Sequence, residues 1–222
     1  MFGEFGDSIN PYALDYPVCT EKDEDGSMRT SLTASPSVAT SSQALHLLHH
    51  TKGGPPFLPD EDKYHPCEES HLLKYLNRWD VQVALHANVG VQWEMCTTAI
   101  KYSRVDVAIP QIALYKELVE MGVRNEHSLN MFVYSGDDDS ICSTAGTQEW
   151  IYDLGVAPMD GHLWKAWKVE QQTAGFVTHF DLGEDTDATF TFATVHGAGH
   201  EVPAYRPMEA LQMFKMYLRG EW

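Results

Sequence analysis

The 222 residues carry 15 Lys and Arg against 32 Asp and Glu, a formal charge of −17, with 43% hydrophobic and 21% charged residues. That is ordinary globular composition, long enough to bury a real core. The acidic balance argues against nucleic acid and against an anionic membrane surface as partners, since both select basic proteins, and no run of about 18 apolar residues suggests a membrane span.

Residues 1–20 mix polar and aromatic side chains around an Asn10-Pro11 turn signal, with neither the basic nor the apolar segment of a signal peptide. Between 21 and 62 the character changes: EKDEDGSMRTSLTASPSVATSSQ and then KGGPPFLPDEDK are dominated by Ser, Thr, Pro, Gly and acidic residues. Too few apolar side chains are present to offset chain entropy, so 21–62 reads as a flexible surface linker, with at most a short helical turn at Gln43–His50. The ordered remainder is expected over 63–222.

Pro66-Cys67-Glu68-Glu69 resembles a helix start, acidic side chains being favoured by the dipole in a first turn, and Leu72, Leu73 and Leu76 continue it as an apolar stripe. Asp80 is placed to cap a second short helix carrying Val81, Ala84 and Leu85. Pro110 leads an amphipathic pattern through Ile112, Tyr115, Leu118 and Val119 that stops at Gly122. Met131–Tyr134 reads as a buried strand ended by Gly136, and Thr144–Leu154 as a helix. Trp164–Val169, Gly175–Phe180 and Ala188–Val195 are β-rich. Pro207–Leu218 closes the chain as a helix with Leu211, Phe214 and Leu218 on one face. Strands mixed with helices in this way predict an α/β fold with a covered sheet.

Chemistry concentrates where strands end. Tyr134-Ser135-Gly136-Asp137-Asp138-Asp139 runs an apolar strand into three carboxylates, which by spacing alone could be a solvated turn or a cation site. Thr194-Val195-His196-Gly197-Ala198-Gly199-His200-Glu201 feeds a strand into a glycine-rich loop bearing two histidines. An imidazole oriented by a carboxylate is the general-base half of a nucleophilic triad. A metal-dependent hydrolase built from 137–139 with His196 and His200 is a weaker alternative, because Gly-Ala-Gly disfavours a helix that would present both histidines together; no metal or other cofactor is expected. The four cysteines, Cys19, Cys67, Cys96 and Cys142, show no CxxC spacing, and composition alone allows either the cytosol or a secretory compartment.

YSGDDDSIC with GTQEWIYDLG, and VHGAGHEVPAYRPMEALQMFKMYLRGEW, resemble the C-terminal end of the serine carboxypeptidase family, while INPYALDYPVC and YHPCEESHLLKYLNRWDVQVALHAN resemble its middle region. The resemblance implies the C-terminal portion of an α/β-hydrolase fold with part of a helical cap, 1–20 belonging to the cap and 63–222 to the hydrolase domain with a helical insertion. It further implies a triad in the order Ser, Asp, His, with Asp139 as the acid and His200 as the base. Glu201 resembles a position that contacts the departing residue, and is equally readable as a plain loop carboxylate. Cys142 matches a position often held by a thiol beside the site, and reads here as a small buried hydrophobe. By the same resemblance Cys19 and Cys67 pair as a disulfide, Cys96 has its partner outside this sequence, and the protein is vacuolar, lysosomal or secreted.

The nucleophile of such an enzyme sits on a strained G-x-S-x-G turn. No serine here has that frame: Ser8 lies in GDSIN, Ser135 in VYSGD and Ser140 in DDSIC. The expectation is therefore a serine carboxypeptidase part that supplies Asp139 and His200, needs a polypeptide carrying the serine as partner and a peptide as substrate, and is inactive alone. The competing expectation is a non-catalytic binding or regulatory relative.

Overall fold

The computed structural model describes residues 9–22, 28–31, 64–97, 99–124 and 129–222. They fall into two compact units, one built from the residues up to Asn10 with Tyr16–Ser103, the other from Pro11–Asp15 with Arg104–Trp222. Gln43–His50, where a helical turn was expected, lies outside the described residues.

In the first unit, β1 (Cys19–Lys22) and β2 (Met28–Ser31) pair antiparallel, with Cys19 opposite Ser31. The pair extends into the stretch that composition marks as linker. Helices α1 (Glu68–Leu76) and α2 (Trp79–Ala84) follow. Asp80 does not cap α2: Arg78 takes that position, and Asp80 sits in the first turn, where its carboxylate meets Arg78 at 2.6 Å in an exposed ion pair of little energetic weight. The side-chain amides of Asn77 and Gln82 organise the loop after α2. Asn77 accepts from the Trp93 amide at 2.7 Å and donates to the Trp93 carbonyl at 2.9 Å, while Gln82 accepts from Gly90 N and donates to Val91 O, both at 2.9 Å.

Cys19 and Cys67 are joined as a disulfide across 48 residues of sequence. Closing a loop of that size removes roughly 4 kcal/mol of unfolded-chain entropy in the simplest model. Cys19→Ser is therefore expected to lower stability by about 2–4 kcal/mol, seen in urea titration as a lower midpoint for the unit that contains it.

The second unit holds α3 (Arg104–Val107), α4 (Ile112–Val123), β3 (Asn130–Gly136), α5 (Thr144–Tyr152), β4 (Lys165–Val169), β5 (Gln172–Phe180), β6 (Thr189–Val195), α6 (Val202–Tyr205) and α7 (Pro207–Arg219). Its sheet has the order β3-β6-β5-β4, with β3 parallel to β6 and the other pairs antiparallel. The result is a mixed sheet with helices on both faces, consistent with the expected α/β-hydrolase portion. Alternation along β3 sorts the two faces. Met131 and Val133 pack into the core formed by Val119 of α4, Ile151 of α5, Phe180, Phe190 and Phe192. Phe132 points the other way and stacks on Tyr217 of α7, with ring centres 4.3 Å apart. Strand β6 is buried almost throughout although it carries threonines, and the buried hydroxyls are satisfied: Thr194 Oγ1 accepts from Phe176 N at 3.0 Å and Thr191 Oγ1 pairs with His179 Nδ1 at 3.1 Å.

Helix α7 starts on Pro207 and ends on Gly220, whose φ of 65° is the left-handed cap that glycine adopts without a Cβ penalty. Ala210 and Met213 form its buried side. Leu211, Phe214 and Leu218 share a face, as expected, and that face is exposed.

Candidate functional site

The site grows from one register. Because β3 and β6 run parallel with Gly136 opposite Val195, the acidic turn after β3 and the glycine loop after β6 emerge side by side. Backbone bonds then knit the two loops together: Asp137 N donates to Val195 O at 3.1 Å, and Asp138 N donates to Ala198 O at 3.0 Å. Glycine is required at the crossing, since a Cβ on Gly136 would run into the carbonyl groups of Ala198 and Gly199.

The three aspartates have different fates. Asp137 is exposed; its Oδ2 accepts from His196 Nδ1 at 2.7 Å and its Oδ1 from Gly197 N at 2.6 Å. Asp138 is buried and accepts from Asp15 N at 2.9 Å; burial pushes its carboxyl up from the ordinary range, partly countered by that hydrogen bond. Asp139 has a side chain only 4% exposed. Its Oδ1 accepts from the amides of Ile141 at 2.8 Å and Cys142 at 3.2 Å, leaving Oδ2 to face His200 Nδ1 at 2.8 Å.

That arrangement fixes the imidazole. A carboxylate oxygen can only accept, so Nδ1 carries the proton and Nε2 presents a lone pair. The His200 side chain is 40% exposed, open enough to meet a reactant while its acid partner stays dry. His200 N donates to Tyr12 O at 2.7 Å, and the Tyr12 ring lies 5.5 Å from the imidazole. Segment 11–15 braces the acidic turn as well: Leu14 N donates to Asp138 O at 3.0 Å, and the Ser140 hydroxyl donates to Pro11 O at 2.6 Å. The sequence reading gave Tyr12 no role in the site, although INPYALDYPVC, which contains it, is one of the segments that carry the family resemblance.

A cavity of about 260 Å³ opens beside the pair, lined by Tyr134, Ser135, Asp139, Cys142, His200 and Val202 among others. Ser135 is the serine in its wall, but its hydroxyl is engaged with Thr144 Oγ1 at 3.0 Å, and no bond from it to His200 occurs among the described residues. Cys142 is exposed, contrary to its reading as a buried hydrophobe, because the turn that gives its amide to Asp139 leaves the residue at the surface. Local desolvation, and then the Asp139 charge, push its thiol pKa up, so it is not an activated thiolate. Glu201 is exposed at the start of α6, where its carbonyl accepts from Ala204 N at 2.7 Å.

The metal alternative put 137–139 together with both histidines. His196 and His200 instead engage separate carboxylates, Asp137 and Asp139. The ligand-capable group that the described residues assemble is Asp139, Cys142 and His200. No helix among the described residues is long and apolar enough to cross a membrane.

The chain is similar to known proteins. A model of the serine carboxypeptidase family matches residues 4–220. Similar curated proteins include the Arabidopsis thaliana serine carboxypeptidase-like 25, 31% identical over the whole of this chain and 42% of its own length. Serine carboxypeptidase 24 of the same plant is 35% identical over 71% of this chain and 31% of its own length. Serine carboxypeptidase-like 46, also from that plant, is 37% identical over 69% of this chain and 31% of its own. The chain thus spans less than half the length of these relatives.

Proposed function

The chain belongs to the serine carboxypeptidase family, and on that footing we propose that it supplies the acid and the base of a serine-type carboxypeptidase triad. The nucleophile serine would come from polypeptide outside these 222 residues. The observation that carries this reading is the buried Asp139 Oδ2 accepting from Nδ1 of the half-exposed His200 at 2.8 Å beside an open cavity. His200 Nε2 takes the proton of the attacking serine hydroxyl and returns it to the departing amine, so that the peptide loses its C-terminal residue. Asp139 holds the tautomer and stabilises the imidazolium as it forms. Neither side chain can replace the serine, so the 222 residues alone are inactive.

Glu201 follows the base directly in sequence and is exposed, which supports a role in contacting the departing residue. Glu201→Gln is expected to change kcat/KM by roughly tenfold, unequally among peptides that differ only in their last residue. An equal effect on all of them would leave Glu201 as a loop carboxylate. The Cys19–Cys67 disulfide supports passage through an oxidising compartment, in keeping with a secreted or vacuolar protein.

The reading is tested on the full-length protein that carries this chain, or on the chain joined by its partner. A fluorophosphonate probe should label a serine in a G-x-S-x-G peptide, and amino-blocked dipeptides should lose their last residue. Absence of both label and release from a folded, complete protein would leave a binding or regulatory relative.

A further inference from the structure

The group Asp139, Cys142 and His200 offers one carboxylate oxygen, one thiol sulfur and one imidazole nitrogen, all within 4.8 Å of one another. We propose that these three side chains form a binding site for a thiophilic divalent cation, zinc first among them. The donor set is the argument: zinc takes sulfur, nitrogen and oxygen together at about 2.0–2.3 Å, which puts tetrahedral ligands about 3.3–3.8 Å apart. Closing from 4.8 Å needs roughly 1 Å of side-chain adjustment. Cys142 and His200 can supply it, because Cys142 is exposed and the His200 side chain is 40% exposed, while Asp139 is held by two backbone amides.

The fourth position faces the cavity of about 260 Å³, which these same residues line, so water can complete the shell. On binding, the Cys142 thiol gives its proton to solvent and the sulfur bonds the metal as thiolate; the imidazole binds neutral, through Nε2 with the proton kept on Nδ1 or through Nδ1 with the proton moved to Nε2, and no electron changes hands. A cation there engages the carboxylate and the imidazole at once and takes both out of proton transfer. That inhibitory consequence rests on the peptidase reading, whereas the binding does not. Cys96, the other free thiol among the described residues, belongs to the other unit and serves as an internal control.

The full-length protein carrying this chain, metal-free and with the Cys19–Cys67 disulfide intact, is titrated with zinc chloride by calorimetry and with cobalt chloride by visible absorption. One cation per chain and a thiolate-to-cobalt charge-transfer band are expected. Cys142→Ser should abolish the band and weaken zinc binding by about 100-fold, since loss of even an outer-shell partner costs 10- to 100-fold. Cys96→Ser should retain both signals. Asp139→Asn should weaken binding at least tenfold, and it serves as the test should Cys142→Ser fail to fold. Zinc affinity unchanged in Cys142→Ser, or a band that disappears in Cys96→Ser, overturns the site. A Cys142-dependent cobalt band in a protein that shows no hydrolysis when metal-free supports the site and defeats the peptidase reading. Hydrolysis without any Cys142-dependent binding does the reverse.

Discussion

His200→Gln, made in the complete protein, should lower kcat for release of a C-terminal residue by about 10⁶, and Asp139→Asn by about 10⁴, with KM little changed in both. The asymmetry follows from what each group does. Gln at 200 cannot carry the proton from serine to leaving amine, so the reaction loses its base. Asn at 139 keeps the shape of the site but presents an NH2 where Nδ1–H must donate, which favours the wrong imidazole tautomer. The Asp139 carboxylate is fixed by two amide donors and is only 4% exposed, so no water substitutes for it. The two changes act on one proton path, and the double variant should be no slower than His200→Gln alone. Steady-state release of the last residue from a blocked dipeptide checks all three. Equal losses in the two single variants, or full additivity, would mean that the pair does not work as acid and base.

Gly136→Ala is expected to cost about 3 kcal/mol or more of stability, although it adds a single methyl group. The Cβ would press on the carbonyls of Ala198 and Gly199, and backbone cannot step aside as a flexible side chain can. Those carbonyls belong to the loop bearing His200, and Ala198 O also accepts the Asp138 amide. Relief of the clash therefore separates the two loops and lengthens the bond between Asp139 and His200. Denaturant titration reads the first effect. The low-field proton resonance of His200 Nδ1–H reads the second, and should broaden or vanish in a variant that still folds. Wild-type stability with an intact resonance would show that the loops are not pinned together at this crossing.

Much of this was legible because it lies in local pattern. The short apolar run Met131–Tyr134 ending at Gly136, and the glycine loop after the β-rich Ala188–Val195, marked the two strand ends from which Asp139 and His200 project. The family resemblance selected the third aspartate of the run, a choice that spacing leaves open and that depends on which carboxylate faces inward. What could not be read depends on contacts far apart in sequence. Tyr12 meets His200 across 188 positions (200 − 12) by a bond from His200 N, and nothing around Asn10-Pro11 announces it. The cap at α2 was misplaced for another reason: Asp80 has the chemistry of a cap, but Arg78 holds the extended backbone that the position needs, with ψ of 135°. Cys142 was misjudged because residue type suggests burial, whereas its place in a turn decides exposure.

The order of strands also sets an order of events. Strands β4 and β5 meet across a tight turn, with Val169 opposite Gln172, and β5 meets β6 with Phe180 opposite Phe190, so these three can zip together through contacts close in sequence. Among the described residues strand β3 joins the sheet only through β6, with Gly136 opposite Val195, a separation of 59 residues (195 − 136). Such a non-local pairing has to offset a larger loop-closure entropy and is expected to form after the pairings of β4, β5 and β6. Asp139 and His200 lie on opposite sides of that seam. A chain in which these two strands have not paired holds both residues and no dyad, so the dyad depends on a contact between segments far apart in sequence.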